Sequence, residues 1–73
     1  MPTETHGDYE IDYQGQYLAD VDAWAAFITV YGPSDNPMHR NIVIAAQRVS
    51  VEQVYASEDE AAAEALRVAR TML

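Results

Sequence analysis

The chain has 73 residues, so it forms one domain at most. Hydrophobic residues make up 49% of it, which is typical of a globular protein, and the lack of cysteine excludes disulfides and thiolate metal sites. A net charge of −8 opposes direct binding to nucleic acid and to anionic membrane surfaces.

The charges are distributed unevenly along the chain. Residues 1–36 contain seven acids and no lysine or arginine, whereas residues 37–73 contain five acids and four arginines. Charge of one sign says more about partners than about fold, because it acts over the whole surface. The position of these acids on the folded domain therefore decides what kind of partner they indicate.

Residues 1–8 are polar and contain Pro2 and Gly7, which predicts a flexible N-terminal tail before a single domain at 9–73. This start has no basic region followed by an apolar one, so it does not resemble a signal peptide. No apolar run reaches the roughly 18 residues of a membrane span. We expect a cytoplasmic protein that does not associate with membranes.

The first predicted strand begins at Tyr9. Residues 9–13 alternate strictly, with two tyrosines and Ile11 on one face and two acids on the other, which is typical of a half-buried strand. Gly15 interrupts the alternation and predicts a bulge or a tight turn. Residues 16–19 can continue the strand, and residues 20–23 are expected to turn the chain.

The strongest predicted strand runs from Trp24 to Tyr31. Its residues are mostly aromatic or β-branched, and both of its faces are largely apolar. That pattern favours a central strand, or a sheet whose second face is covered by something else. One face contains Trp24, Ala26, Ile28 and Val30, and the other contains Ala25, Phe27, Thr29 and Tyr31.

Residues 32–39 contain two prolines and a glycine and predict a loop. A third strand is predicted at 42–46, where the chain is apolar and β-branched. Residues 47–55 fit either strand or helix. We favour an extended structure there because of the valines, although alanine, glutamine and arginine also support a helix.

The C-terminal segment predicts a helix. Ser57 and Glu60 have the spacing of a capping box, with three acids in the first turn and arginines in the last turns. Glu64 and Arg67 are spaced for a side-chain pair. One apolar face is expected, and its small residues would let the helix lie close to a sheet. That predicted face comprises Ala62, Ala65, Leu66, Ala69, Met72 and Leu73.

These elements predict an α+β domain of β-β-β-α order, with a three-stranded antiparallel sheet and one C-terminal helix packed on one face. A tryptophan-led second strand at 24–30 and a final helix opening with Ser57-x-x-Glu60-Ala resemble small uncharacterised bacterial β-β-β-α protein families. The resemblance spans most of the chain from Tyr9 onward. It supports the fold and implies no particular activity.

One helix covers only one face of such a sheet, so the other face is open to water or to a partner. The candidate interface residues on that second face are Phe27, Thr29 and Tyr31, because aromatic rings are frequent at protein interfaces. With no disulfide to support so short a chain, self-association is the expected support. We therefore expect a homodimer or another protein partner.

Asp8, Glu10 and Asp12 form a candidate acidic recognition face, since all three are expected to project from one side of the first strand. Successive carboxylates would be about 6.6 Å apart, from about 3.3 Å rise per residue. The spacing is on the scale of phosphates along a nucleic-acid strand. One hypothesis is that the chain mimics nucleic acid and inhibits a DNA- or RNA-binding protein. The alternative is a solvated sheet face.

Catalytic and cofactor motifs are scarce. The three glycines are scattered, so no phosphate-binding loop is predicted, and His39 in the central loop fits a solvated side chain better than a general base. We expect no cofactor, no metal and no enzymatic activity. The sequence predicts a small acidic interaction or homodimerising module, with the nucleic-acid mimic as the alternative.

Overall fold

The computed structural model describes residues 2–33 and 41–73. Within those ranges, four strands form one antiparallel sheet in the order β1-β2-β3-β4, and α1 packs across β2 and β3. The elements are β1 (Thr3–His6), β2 (Tyr9–Leu18), β3 (Ala23–Gly32), β4 (Asn41–Val49) and α1 (Glu58–Thr71). The α+β class and the C-terminal helix on one face are confirmed. The prediction of three strands is wrong.

The additional strand is β1, which lies within the predicted N-terminal tail. It pairs with the start of β2 through a two-residue loop, in which Gly7 has a φ of 62°. A positive φ at the first central residue suits a primed hairpin turn, and glycine adopts it without steric cost. The sequence of β1 is polar throughout, so hydrophobic alternation could not reveal it.

The β2–β3 hairpin forms the two central strands of the sheet. Its register is continuous from Glu10↔Tyr31 to Leu18↔Ala23, and it turns through residues 19–22. The bulge or turn predicted at Gly15 is absent from this ladder. Instead, Gly15 faces α1, where a Cβ atom would lie 2.6 Å from the Glu58 carbonyl oxygen and 2.9 Å from Ala61 Cβ. Glycine is required here because helix and sheet approach so closely.

The preference for extended structure after residue 46 is confirmed as far as Val49, where β4 ends. Two register shifts interrupt its pairing with β3. The chain then turns at 50–52, and Tyr55 forms an isolated antiparallel bridge to Trp24 through two backbone hydrogen bonds of 2.8 and 2.9 Å. This bridge fixes the segment that leads into the helix.

The predicted capping box is present, with one difference. The Ser57 hydroxyl accepts from the Glu60 backbone N–H at 3.1 Å, while the Glu60 carboxylate accepts from the backbone N–H of Ala56, one residue before the cap. Both contacts satisfy N–H groups at the start of the helix. Cap and helix therefore begin where the sequence predicts.

The buried face of α1 agrees with the predicted one at Ala65 and Ala69, while Leu66 is partly buried against the core. The side chains that lose all solvent exposure are Ala61, Ala65 and Ala69, which are spaced four residues apart. Met72 and Leu73 are 43% and 37% exposed, because α1 ends at Thr71 and its last residues extend past the packed region. Alanine methyl groups let the helix lie directly on the sheet, as expected.

The core lies between α1 and the sheet. Its largest fully buried side chains are Ile11, Ile28 and Val30, and the rest of it consists mainly of alanine. Trp24 lies half-buried at the end of the sheet, where its ring meets that of Tyr17 edge-on at 5.4 Å. Partly buried hydrophobic side chains pack against it, namely Tyr9, Tyr13, Ile44, Tyr55, Leu66 and Val68. Few large side chains are therefore fully buried among the described residues.

Candidate protein-interaction surface

The sheet has one face against α1 and one face opposite to it. Residues that pair directly across antiparallel strands project to the same side. Ala26, Ile28 and Val30 lie in the core under the helix, so the intervening residues of β3 project to the opposite side. We call that side the open face. It comprises Glu10, Asp12, Gln14, Gln16, Ala25, Phe27, Thr29, Tyr31, Ile42 and Arg48, of which Ala25 is fully buried.

The three predicted interface residues all lie on the open face. Phe27 and Tyr31 are half-buried, and Thr29 retains only 8% of its exposure. β3 is flanked by β2 and β4, so these side chains have a neighbouring strand on each side. Among the elements that the structure describes, α1 is the one outside the sheet, and it lies on the other face.

The predicted acidic residues reach the same face, except for Asp8. Glu10 pairs with Tyr31 and Asp12 pairs with Thr29, so acids and interface candidates are direct neighbours. Asp12 also accepts a hydrogen bond of 2.8 Å from the Thr3 hydroxyl of β1. Asp8 lies in the hairpin loop rather than on the strand. The predicted interface residues and the acids Glu10 and Asp12 therefore form one surface, although the sequence predicted two separate ones.

Arg48 completes the open face on its far side. It pairs with Phe27 from β4, and its Nη2 donates to the Gln53 carbonyl oxygen at 3.1 Å. Its Nε is buried and has no hydrogen-bond partner among the described residues. From one side of the open face to the other, β2 contributes carboxylates, β3 contributes aromatic rings and β4 contributes a guanidinium group. This order could not be predicted from the sequence, because it depends on strand register.

The outer edge of β4 is a second exposed feature of the sheet. Ile42 and Val43 are 58% and 45% exposed, and Ala45 and Ala46 are also exposed. β4 is the last strand of the sheet, so one side of its backbone has no neighbouring strand in the described structure. It contains no acid and no proline. We call this feature the β4 edge.

A polar cluster joins the segment before the helix to its exposed side. The Tyr55 hydroxyl donates to Glu64 at 3.1 Å, and the Arg67 guanidinium pairs with the same carboxylate, as predicted from the spacing of the two residues. The arginine lowers the pKa of Glu64, while partial desolvation raises the pKa of Tyr55. The cluster holds Tyr55 against α1, which is a structural role.

The described residues offer little for cofactor or metal chemistry. No group of three or more histidine, aspartate or glutamate side chains in ranges 2–33 and 41–73 is arranged to hold a metal ion. A shallow cleft of about 350 Å³ follows β4 and is lined by residues 50–53. His39 and Arg40 lie outside the described residues. Within the described ranges, no helix has the length and apolar composition needed to cross a membrane.

Comparison with protein-family models, with curated proteins and with solved structures finds no significant match for this chain. The resemblance to bacterial β-β-β-α families therefore stays an expectation. Functional inference depends on the surfaces described above.

Proposed function

We propose that the chain is a small non-enzymatic protein-interaction module, which forms a homodimer and presents the open face to a protein partner. The observation that supports the recognition surface is the position of Phe27 and Tyr31 between carboxylates and Arg48. Protein interfaces commonly combine central aromatic and apolar side chains with a charged rim. The open face has that arrangement on a rigid sheet.

The small number of large side chains that are fully buried supports the homodimer. Among the described residues these are Ile11, Ile28 and Val30, and the fully buried residues of α1 are all alanines. A domain of this size buries a small share of its surface, and such domains are commonly stabilised by disulfides, metals or oligomerisation. The chain has no cysteine. A second copy supplies additional buried surface without requiring either disulfides or metal.

The recognition surface can be tested by co-purification from the native host with a tagged chain carrying Tyr31→Ser. The matched control is Tyr17→Ser, because Tyr17 is 47% exposed and lies at the distant end of the β2–β3 hairpin. We expect the Tyr31 variant to lose a partner that the control and the wild-type chain retain at both low and high salt. Equal capture by both variants would contradict the assignment of the open face.

The nucleic-acid mimic is the second candidate, and the position of Glu10 and Asp12 on one strand of the open face favours it. Their spacing of about 6.6 Å follows from two residues of strand rise. The test is the pair Glu10→Gln and Asp12→Asn, compared with a control pair of equal charge change, Asp20→Asn and Glu52→Gln. Loss of capture in the first pair alone, together with capture that weakens in salt, would support the mimic.

A further inference from the structure

The two edges of the sheet differ in how they are protected from pairing. β1 is four residues long, contains Glu4 and His6, and follows Pro2. Short length, charge, proline and β-bulges are among the devices by which proteins keep an edge strand from pairing with another chain. β4 shares one of them, because two register shifts interrupt its pairing with β3. β4 is nine residues long and carries a single charge, Arg48, near its end. Four of its six exposed residues are aliphatic, namely Ile42, Val43, Ala45 and Ala46, whereas β1 is polar throughout.

We propose that β4 of one copy pairs with β4 of a second copy, antiparallel about a two-fold axis, to form a continuous eight-stranded sheet. This pairing rests on the proposed homodimer and specifies where its contact lies. A two-fold axis that lies between the two β4 strands and is perpendicular to the sheet makes them antiparallel, and the interface is then the same patch on both copies. The backbone groups along the β4 edge gain hydrogen-bond partners, and Ile42 and Val43 gain apolar neighbours.

Charge favours a second copy at this edge over one stacked on the open face. Each copy carries a net charge of −8, so any contact must keep carboxylates apart. Edge pairing separates the two β2 strands, and with them Glu10 and Asp12, by five strand spacings of about 4.8 Å, or about 24 Å. That exceeds the Debye length of about 8 Å at physiological salt. Stacked sheets lie about 10 Å apart, which would bring those acids together.

A double variant of the β4 edge tests the pairing. Val43→Lys with Ala46→Lys places charge on exposed positions of the strand, where lysine opposes edge pairing. Val21→Lys with Ala63→Lys is the matched control, since it changes the same residue types at exposed positions of a turn and of α1. Both doubles change net charge equally. We expect sedimentation equilibrium to show dimers for the wild type and the control and monomers for the β4 double.

Distances between spin labels distinguish the β4 edge from the open face. Because the chain lacks cysteine, Thr5→Cys gives one label per copy on β1. Edge pairing places the two β1 strands seven spacings apart, about 34 Å, whereas stacked sheets bring labels on facing strands to about 10 Å plus the length of their tethers. Circular dichroism of every variant confirms that the fold is retained.

Each outcome decides between the proposals. A wild-type chain that stays monomeric overturns the homodimer and the edge pairing together. If the variant Val43→Lys with Ala46→Lys still forms a dimer, or if the two spin labels lie much closer than about 34 Å, the edge pairing is wrong but the homodimer is supported. If the wild type is monomeric but captures another protein that the β4 double loses, the edge takes a foreign strand and the second copy is wrong.

Discussion

Replacing Gly15 with alanine tests how closely α1 approaches the sheet. Glycine inside a strand normally costs about 0.5–1 kcal/mol relative to alanine, so intrinsic preference alone predicts stabilisation. Here the new methyl group would lie 2.6 Å from the Glu58 carbonyl oxygen, against an ordinary contact of at least 3.4 Å. The backbone must therefore retreat by about 0.8 Å, the difference between those two distances.

Overpacking of this kind costs about 1–3 kcal/mol, which exceeds the gain from intrinsic preference. We expect Gly15→Ala to lower the free energy of unfolding by about 0.5–2 kcal/mol, since part of the cost is offset in the unfolded chain. Each kcal/mol corresponds to a fall of about 4–8 °C in Tm for a domain of this size. Urea unfolding at one fixed chain concentration, followed by Trp24 fluorescence, measures the change.

Gly32→Ala is the control for this prediction. Its methyl group would also meet an atom at 2.6 Å, but that atom is Cγ2 of the half-exposed Val43, which can rotate away. We expect little change or a slight gain in stability. Equal effects of the two substitutions, or a Gly15→Ala chain as stable as the wild type, would refute the close approach of helix and sheet.

Three further predictions follow from the contacts of α1. Arg70 donates two hydrogen bonds, of 2.6 and 2.8 Å, to the Glu4 carboxylate and so connects the end of α1 to β1. Both side chains are partly exposed, so the ion pair is screened by solvent. A double-mutant cycle should therefore give a coupling free energy of about 0.2–1 kcal/mol. Ser57→Ala should lower the free energy of unfolding by about 1 kcal/mol in urea titration. Arg67 lowers the pKa of Glu64, so the contribution of that carboxylate is present above its ordinary value of 4.5 and is lost as pH falls through the lower folded value. Glu64→Gln should therefore flatten the acid side of a stability–pH profile.

Each of these predictions has a control. Thr71→Ala removes a side-chain contact from the same end of α1 without touching β1, so it should show no coupling to Glu4. Glu52→Gln changes charge equally in the exposed turn after β4 and is the charge-matched control for Glu64→Gln. A Ser57→Ala chain as stable as the wild type would mean that the cap contributes nothing to the helix. Identical acid profiles for wild type and Glu64→Gln would exclude the Arg67 contact as a source of pH dependence.

Elements with strong periodicity could be predicted from the sequence. The β-branched and aromatic residues at 24–31 predict a strand, and the capping box with its small apolar residues predicts a helix. The structure has both elements where they were predicted. β1 could not be predicted, because its stability comes from pairing with β2 and from the contact of Glu4 with a residue 66 positions away. Local patterns contain no information about such contacts.

The candidate surface was predicted in part. Alternation along single strands placed Phe27, Thr29 and Tyr31 on one face, and the structure agrees. Register decided the rest, because it set Glu10 and Asp12 beside them and brought Arg48 to Phe27 from β4. Gly15 was misinterpreted for the same reason: its neighbour across the interior is Glu58, and only the packing of α1 reveals it.

Sedimentation equilibrium of the unmodified chain at tens of micromolar decides whether the chain forms the proposed homodimer. A homodimer predicts an apparent mass approaching twice the 8.1 kDa of one chain, with dissociation on dilution. A mass of 8.1 kDa that stays constant across this concentration range would show a monomer, and the proposed homodimer would be wrong.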